Sequence, residues 1–179
     1  MANRVFISGT PGVGKSTIAN KLSDELNAKL IDVKKLAIEN DLILGIDPEK
    51  GYKIVDVEAF DSFLQNLELE GFIIVESHLS HLFSNPDKVI VLRVDPDILK
   101  GRLSSRDYSD SKIRENLEAE ALGVCSIEAF ELHGKKVSEI NTSNLSVSES
   151  VNIIIDVIEG NNNFLFGQID FMDWLIKNP

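Results

Sequence analysis

The feature that most constrains the fold is a glycine-rich stretch near the start of the chain, residues 9–17. It reads Gly-Thr-Pro-Gly-Val-Gly-Lys-Ser-Thr and fits the pattern G-x-x-x-x-G-K-[ST] at every fixed position. An apolar run typical of a buried parallel strand precedes it, at residues 5–8, and apolar residues at helical spacing follow it: Ile18, Ala19, Leu22 and Leu26. This strand–turn–helix context favours a phosphate-binding loop over a glycine-rich turn with an incidental lysine.

The residue types in this loop match the chemistry of a polyphosphate. Glycines let the phosphates lie close to the backbone, whose N–H groups point inward at the positive end of the following helix. Lys15 supplies a cation for the β- and γ-phosphates, and the hydroxyl of Ser16 is a ligand for Mg²⁺. The sequence therefore predicts a Mg²⁺-dependent site for ATP on the following residues: Gly12, Val13, Gly14, Lys15, Ser16 and Thr17.

Composition restricts the class of protein. A chain of 179 residues with 43% hydrophobic residues can bury one core without disulfides, and its one cysteine, Cys125, cannot form an intrachain bond. The start of the chain leads directly into a strand, and no apolar run approaches a membrane span, so we expect a cytoplasmic protein. A net charge of −11 argues against general nucleic-acid binding. An acidic surface suits a basic protein partner, although a solvated acidic face is the commoner explanation.

The pattern of apolar runs predicts an α/β fold. Strands are expected at residues 5–8, 28–32, 72–75, 88–94 and 137–141, and helices at 33–40, 57–70, 95–106, 112–130, 151–158 and 169–177. Residues 41–53 contain Gly45, Pro48 and Gly51 and are predicted to be a loop. We therefore expect one domain, residues 1–179, with a five-stranded parallel sheet in a three-layer P-loop NTPase fold and a ligand at the carboxyl edge of the sheet.

The third predicted strand ends in a second group of candidate residues. Glu76 follows a buried strand beside the loop, where a carboxylate can hold Mg²⁺ through water, and capping of the strand end is the alternative. His78 is a candidate for contacting a phosphate or orienting a water, equally well explained as a polar residue at the rim. His78 and His81 have a spacing compatible with a metal, but the sequence offers no third ligand, so we do not expect zinc.

Three of the five arginines of the chain fall within 13 residues, at positions 102, 106 and 114. Arginines that close over a phosphoryl group from a lid stabilise its developing charge and exclude water. Arg102 and Arg106 are four positions apart, so we expect them to share one face of a helix. We expect both to contact the nucleotide, whereas Arg114 is equally well explained by surface pairing with Asp107, Asp110 or Glu115.

These residues together resemble those of a known family, the adenylate-kinase-isoenzyme-six type of archaea and eukaryotic nuclei. The resemblance runs from about residue 3 to residue 177 and is carried by residues 9–17, 75–78, 91–93, 102–108 and 112–120. It implies phosphoryl transfer between ATP and AMP, ATPase activity, and binding to a protein of the small ribosomal subunit during its maturation. The resemblance also implies catalytic roles for Lys15, Glu76, His78 and Arg106, nucleotide binding by Arg102, and Mg²⁺ binding by Ser16 and Glu76. It further implies a monophosphate-binding region at residues 32–56 and a lid at about residues 102–116.

The sequence departs from that family at three places. Glu76 stands where the family often has Asp, and Asp107 stands where its lid commonly has Gly. Residues 28–70 contain no arginine, and Ile38 occupies a position where family members carry one. Lysines at positions 34, 35, 50 and 53 are candidates to replace it, but only as point charges without a bidentate fork.

Three hypotheses therefore stand. The leading one is a monomeric adenylate kinase, with ATP and AMP as substrates. The second is an ATP-driven assembly factor for the small ribosomal subunit, with vestigial kinase activity, which the missing arginine and the acidic composition favour. The third is a kinase that phosphorylates an alcohol on the same scaffold.

Overall fold

A computed structural model describes residues 3–48 and 51–178 of the chain. The strands in this part are β1 (Arg4–Ser8), β2 (Lys29–Asp32), β3 (Ile43–Ile46), β4 (Lys53–Val55), β5 (Ile73–Glu76), β6 (Lys88–Arg93) and β7 (Val137–Asn141). The helices are α1 (Lys15–Leu26), α2 (Val33–Glu39), α3 (Val57–Asn66), α4 (Pro96–Ser104), α5 (Asp110–Leu122), α6 (Val124–His133), α7 (Val147–Glu159) and α8 (Met172–Lys177), with short 3₁₀ helices at Ser80–Leu82 and Gly134–Lys136.

Five strands form one parallel sheet in the order β2-β5-β1-β6-β7. The central strand, β1, leads into the glycine-rich loop, and β5 lies between β1 and β2. The register pairs Glu76 with Ile7 of β1 on one side and with Asp32 of β2 on the other. The predicted five-stranded parallel sheet is confirmed, and β7 lies at one edge of it.

The core lies on both faces of this sheet, as alternation of side chains along buried strands requires. Val5 and Ile7 of β1 contribute to one apolar cluster, together with residues of α1, α4, α5 and α7. Phe6 contributes to a second cluster on the opposite face, which includes Phe60 of α3 and Ala129 of α6. All three β1 residues are completely buried. The sheet is therefore the middle of three layers, and its carboxyl edge stays available for a site.

The region predicted as a loop, residues 41–53, instead contains an antiparallel pair. β3 pairs with β4 as a separate two-stranded sheet, with a register irregularity near Gly45. The turn residues correctly indicate a change of direction, but the β-branched residues on both sides form strands across it. The prediction of a featureless loop is therefore wrong for the described part of this region.

The single long helix predicted for residues 112–130 is also wrong. Gly123 has φ +69° and separates α5 from α6, ending the first helix in the left-handed conformation that glycine favours. The chain changes direction there, so α5 packs beside α4 on one face of the sheet while α6 contributes to the core of the other face. The predicted lid, residues 102–116, spans the end of α4 and the start of α5.

The last part of the chain packs back against α4 and α5. Trp174 of α8 is buried, and its indole N–H donates to Asp97 of α4 over 2.8 Å. Arg114 of α5 lies over the Trp174 ring at 5.6 Å from the centroid. Within residues 3–48 and 51–178, no helix combines the length and the apolar character required to span a bilayer.

Candidate active site

The glycine-rich loop connects the central strand to α1, and its glycines are required by backbone geometry. Gly9 has φ +135°, and a Cβ there would lie 2.5 Å from the carbonyl oxygen of Leu92 in β6. Gly12 has φ +98°, and a Cβ there would meet the side chains of Leu99 and Leu103 at 2.9 and 2.8 Å. The absence of a side chain at these two glycines therefore lets the loop pack directly against β6 and α4. The close approach of phosphates to the backbone, which the sequence predicts, is a second reason for glycine in this loop.

Lys15 begins α1 and is buried within the loop. Its Nζ donates to the carbonyl oxygens of Gly9 and Thr10 over 2.8 and 3.1 Å. Burial lowers the pKa of Lys15, and the carboxylates of Glu76 and Glu120 oppose this effect. The ammonium group is held at the amino end of the helix, which is where a polyphosphate binds such loops.

Ser16 and Glu76 are brought together at the same edge of the sheet. The Ser16 hydroxyl donates to Oε2 of Glu76 over 3.2 Å. Burial raises the pKa of Glu76, the neighbouring Lys15 opposes that shift, and Asp32 adds to it. A hydroxyl and a carboxylate are oxygen ligands of the kind that Mg²⁺ prefers, so the two predicted metal ligands fit that ion.

His78 lies just beyond β5 and keeps contact with solvent, although many protein atoms surround it. Desolvation, then the positive charges of Lys15 and Lys34, lowers the pKa of His78 to about 4. At neutral pH its imidazole is therefore uncharged. It can orient a phosphate or a water through hydrogen bonds, but it does not supply a positive charge.

His81 does not share a site with His78. It is 1% exposed, its Nδ1 lies 2.6 Å from the hydroxyl of Ser8, and its Nε2 lies 2.9 Å from Glu128 of α6. Because a carboxylate only accepts hydrogen bonds, Nε2 carries a proton. Burial lowers the pKa of His81, so the ring is uncharged at neutral pH and Nδ1 accepts from Ser8. In residues 3–48 and 51–178 no group of three or more His, Cys, Asp or Glu side chains is arranged to hold a metal.

The arginines of the predicted lid separate into two groups. Arg102 of α4 donates from Nη1 to the carbonyl oxygen of Val13 in the loop over 3.0 Å. Arg106 lies beyond the end of α4 and over the ring of Tyr108, so the expected common helix face with Arg102 is wrong. Arg114 pairs with Glu118 one turn along α5.

A cavity of about 380 Å³ opens beside the loop, on the side of β6 and β7. Arg102 and Arg106 line it together with the loop and with α1. Its remaining wall comes from the chain after β7, which the sequence interpretation missed: Thr142, Leu145, Val147 and Ser150. These residues follow the carboxyl end of a strand two places from β1, and the rule that ligands lie along this edge is the signal that indicates them.

A second cavity, of about 340 Å³, lies on the opposite side, against α2. Asp32, Lys34, Lys35, Ile38 and Glu39 line it. The position where the resembling family carries arginine is therefore occupied here by an isoleucine that is 37% exposed. Lys53 is exposed on β4, and Lys50 falls outside the described residues.

Comparison with known proteins assigns the chain to a family. A family model described as an AAA domain matches residues 5–123. A protein of Methanothermobacter thermautotrophicus, described as "Putative adenylate kinase", is 46% identical over 172 residues, which cover 96% of this chain and 99% of the relative. The chain belongs to this AAA-domain, adenylate-kinase-like family. A relative from Methanocaldococcus jannaschii with the same description is 41% identical over 157 residues, 87% of this chain and 86% of the relative.

Solved structures support the fold of this adenylate-kinase-like family member. Shikimate kinase from Bacteroides thetaiotaomicron has a TM-score of 0.62 at 19% identity, over 89% of this chain and 99% of that one. Thymidylate kinase from Candida albicans has a TM-score of 0.54 at 16% identity, over 95% and 97%. At such identities the likeness concerns the fold alone, and the predicted P-loop NTPase fold is confirmed.

The sequence interpretation did not identify two acidic residues near the site. Asp32 ends β2 directly opposite Glu76 and accepts a hydrogen bond from the backbone N–H of Lys35 at the start of α2. Glu120 of α5 accepts a hydrogen bond from the hydroxyl of Thr10. A carboxylate at the end of a neighbouring strand is a signal that identifies Asp32, but no local pattern distinguishes Glu120 from the other acidic residues of its helix.

Proposed function

We propose that the protein is an adenylate kinase that transfers the γ-phosphoryl group of Mg·ATP to AMP and forms two molecules of ADP. The observation that carries this proposal is the arrangement of two cavities along one edge of the sheet. The strand order places the phosphate-binding loop and Glu76 between the cavity beside α7 and the cavity against α2. Donor and acceptor nucleotides bound there would meet at Lys15 and Glu76.

The donor side has the groups that ATP requires. The loop N–H groups and Lys15 bind the phosphates, while Arg102 and Arg106 line the cavity that would take the rest of the nucleotide. Ser16 and Glu76 would hold Mg²⁺, which when bound neutralises charge on the β- and γ-phosphates. Arg106 belongs to the predicted lid and lines the same cavity, and it would stabilise charge on the migrating phosphoryl group.

The transfer needs no protein nucleophile. A phosphate oxygen of AMP forms a bond to the γ-phosphorus, and the bond from that phosphorus to the β–γ bridging oxygen breaks, so that the bonding electrons stay on the leaving ADP. The chain contributes positioning and electrostatic stabilisation, which are the main sources of catalysis in this reaction class. His78, neutral at neutral pH, orients the reacting groups through hydrogen bonds.

The acceptor assignment rests on two lysines of the second cavity and on the names of the relatives. Lys34 and Lys35 would hold a monophosphate there, although Asp32 and Glu39 in the same lining offset their charge. The two lysines act as point charges and lack the fork of a guanidinium, so we expect a weaker hold on AMP than an arginine would give. The description of the relatives as adenylate kinases favours AMP as the acceptor.

A contact between the lid and the β3–β4 hairpin supports closure of the site. Nζ of Lys112, at the start of α5, lies 3.8 Å from the ring centroid of Tyr108 and 5.3 Å from that of Tyr52. Cation–π contacts of this kind are worth about 0.5–1 kcal/mol at exposed positions. The contact between Lys112 and Tyr52 joins the predicted lid to the predicted monophosphate-binding region. A closed site excludes the water that would otherwise hydrolyse ATP.

A panel of acceptors and one gain-of-function variant test this proposal. The purified protein is incubated with Mg·ATP and AMP, other nucleoside monophosphates, or small alcohols, and the phosphorylated product is identified. We expect AMP to be the preferred acceptor. Ile38→Arg should lower the KM for AMP by about tenfold, the size of one charge-assisted hydrogen bond, and leave the affinity for ATP unchanged.

Ile127→Arg is the matched control, because Ile127 is 44% exposed on α6 and lies outside both cavities. The same charge added there should leave the KM for AMP unchanged. Preferred phosphorylation of an alcohol would contradict the assignment of AMP. An Ile38→Arg variant whose KM for AMP equals that of the wild type would contradict the placement of the acceptor against α2.

A second candidate, an ATPase that assists small-subunit assembly, is favoured by the acceptor cavity without arginine and by the net charge of −11. An acidic surface complements a basic ribosomal protein. Under this hypothesis a monomeric, cytoplasmic protein co-purifies with such a partner and releases it on addition of ATP. Failure to bind isolated small-subunit proteins, with or without ATP, would contradict it.

A further inference from the structure

Glu120 lies at the centre of a buried hydrogen-bond network between α5 and the sheet. Its side chain is 1% exposed. Oε1 accepts from Nε of Arg93 over 2.9 Å and from the backbone N–H of Val94 over 3.0 Å, and Oε2 accepts from the hydroxyl of Thr10. A buried carboxylate with three donors is fixed in position, because each lost partner would leave an unsatisfied charge.

Thr10 connects this carboxylate to the phosphate-binding loop. It is the second residue of the loop and is 2% exposed. Its side chain donates to Glu120, while its backbone carbonyl oxygen accepts from Nζ of Lys15 over 3.1 Å. A continuous chain of contacts thus runs from helix α5 through Thr10 to the ammonium group of Lys15.

Further contacts hold Glu120 from the other side. Arg93 donates to Glu139 of β7 over 2.8 Å and to the backbone oxygen of Glu120 over 2.7 Å. The second oxygen of Glu139 accepts from the backbone N–H of Gly167 over 2.7 Å. The network therefore contains two carboxylates and one guanidinium, and the negative charge of Glu120 also raises the pKa of Lys15 against the effect of burial.

We propose that Glu120 is a positioning residue for the phosphate-binding loop. By holding the hydroxyl of Thr10 from helix α5, it fixes the carbonyl oxygens that hold the Lys15 ammonium group. Removal of the hydrogen bond shifts the loop and reduces the affinity for Mg·ATP. The proposal deepens the proposed function, since it rests on Lys15 as a phosphate ligand.

Two substitutions of Thr10 separate positioning from packing. Thr10→Val keeps the shape and removes the hydroxyl, whereas Thr10→Ser keeps the hydroxyl. Ser126→Ala is the matched control: Ser126 is 1% exposed, and its hydroxyl accepts from Nη1 of the same Arg93, whereas Glu120 accepts from Nε. The affinity for Mg·ATP is measured by titration calorimetry, and the melting temperature is recorded for each variant.

We expect Thr10→Val to weaken Mg·ATP binding by about tenfold or more, the loss for a hydrogen bond to a charged group. Thr10→Ser and Ser126→Ala should stay within about threefold of the wild type, because both preserve the bond between the loop and Glu120. A Thr10→Val variant that melts earlier but binds Mg·ATP as the wild type does would overturn the proposal, since Glu120 would then only stabilise the fold.

Thr10→Ala keeps the test decisive if Thr10→Val does not fold. It also removes the hydroxyl, and its side chain is smaller than that of threonine, so it crowds nothing and cannot form a hydrogen bond with Glu120. Wild-type affinity for Mg·ATP in this variant would also overturn the proposal. A wild-type protein that binds Mg·ATP but does not phosphorylate AMP would contradict the proposed function instead, and the comparison of binding affinities would still decide the role of Glu120.

Discussion

Replacing Gly12 by alanine tests the seating of the phosphate-binding loop. Gly12 has φ +98°, and a Cβ there would lie 2.8 Å from Cδ2 of Leu103 and 2.9 Å from Cδ1 of Leu99. Both leucines belong to α4 and are completely buried, so neither can move away without disturbing the core. The substitution therefore adds backbone strain and a steric clash at the same position.

The two costs can be estimated separately. An L-residue in a left-handed conformation costs about 1–2 kcal/mol. Overpacking of a filled core costs about 1–3 kcal/mol. We expect Gly12→Ala to lower the free energy of unfolding by about 2–5 kcal/mol, which for a chain of this size lowers the melting temperature by roughly 4–20 °C. Because α4 also carries Arg102, which holds the loop at Val13, the affinity for Mg·ATP should fall as well.

Urea unfolding, followed by circular dichroism, measures the change in the free energy of unfolding. Gly101→Ala is the matched control, since Gly101 lies in the same helix and a Cβ there would have no neighbour within 4 Å. That variant should be more stable than the wild type by about 0.5–1 kcal/mol, because alanine is the better helix former. A Gly12→Ala protein with wild-type stability and Mg·ATP affinity would refute the described seating of the loop on α4.

Three further predictions concern the metal site, the lid and the end of the chain. Burial raises the pKa of Glu76, and only the ionised carboxylate holds Mg²⁺, so kinase activity should fall as the pH drops through a value above the usual 4.5. A higher Mg²⁺ concentration should shift this acidic limb of the pH profile to lower pH. An acidic limb that does not depend on Mg²⁺ would contradict the assignment of Glu76 as a metal ligand. Arg106→Ala should lower kcat by about 100-fold or more and change Mg·ATP affinity much less; unchanged turnover would remove Arg106 from the site. Trp174→Phe loses the hydrogen bond to Asp97 and should lower the melting temperature by about 1–6 °C, measured by calorimetry, and an unchanged value would mean that this bond adds no net stability.

The sequence predicts the sheet well because its strands are apolar runs bounded by turns. Residues 5–8 and 88–94 are apolar runs of strand length, and their alternation with helices favours parallel pairing, which the sheet has. Prediction fails where two signals compete. In residues 41–53 the turn residues favour a loop, although the β-branched residues beside them form strands. At Gly123 the helical propensity on both sides predicts one continuous helix, although the left-handed conformation of this glycine ends α5.

The site is predictable where a motif fixes both residue and partner. The phosphate-binding pattern identifies Lys15 and Ser16, and the rule for strand ends identifies Glu76, which the structure places 3.2 Å from the Ser16 hydroxyl. Contacts between distant segments carry no such signal. Glu120 meets Thr10 across 110 positions of the sequence, and this contact depends on how α5 packs against the sheet rather than on any local pattern.

The reaction stoichiometry tests the central claim most directly. The purified protein is incubated with Mg·ATP, with and without AMP, and ADP and inorganic phosphate are measured separately. An adenylate kinase forms two ADP for each AMP consumed, releases little phosphate, and forms little ADP when AMP is absent. Release of phosphate at the same rate with and without AMP, and no consumption of AMP, would contradict the proposed kinase and identify an ATPase.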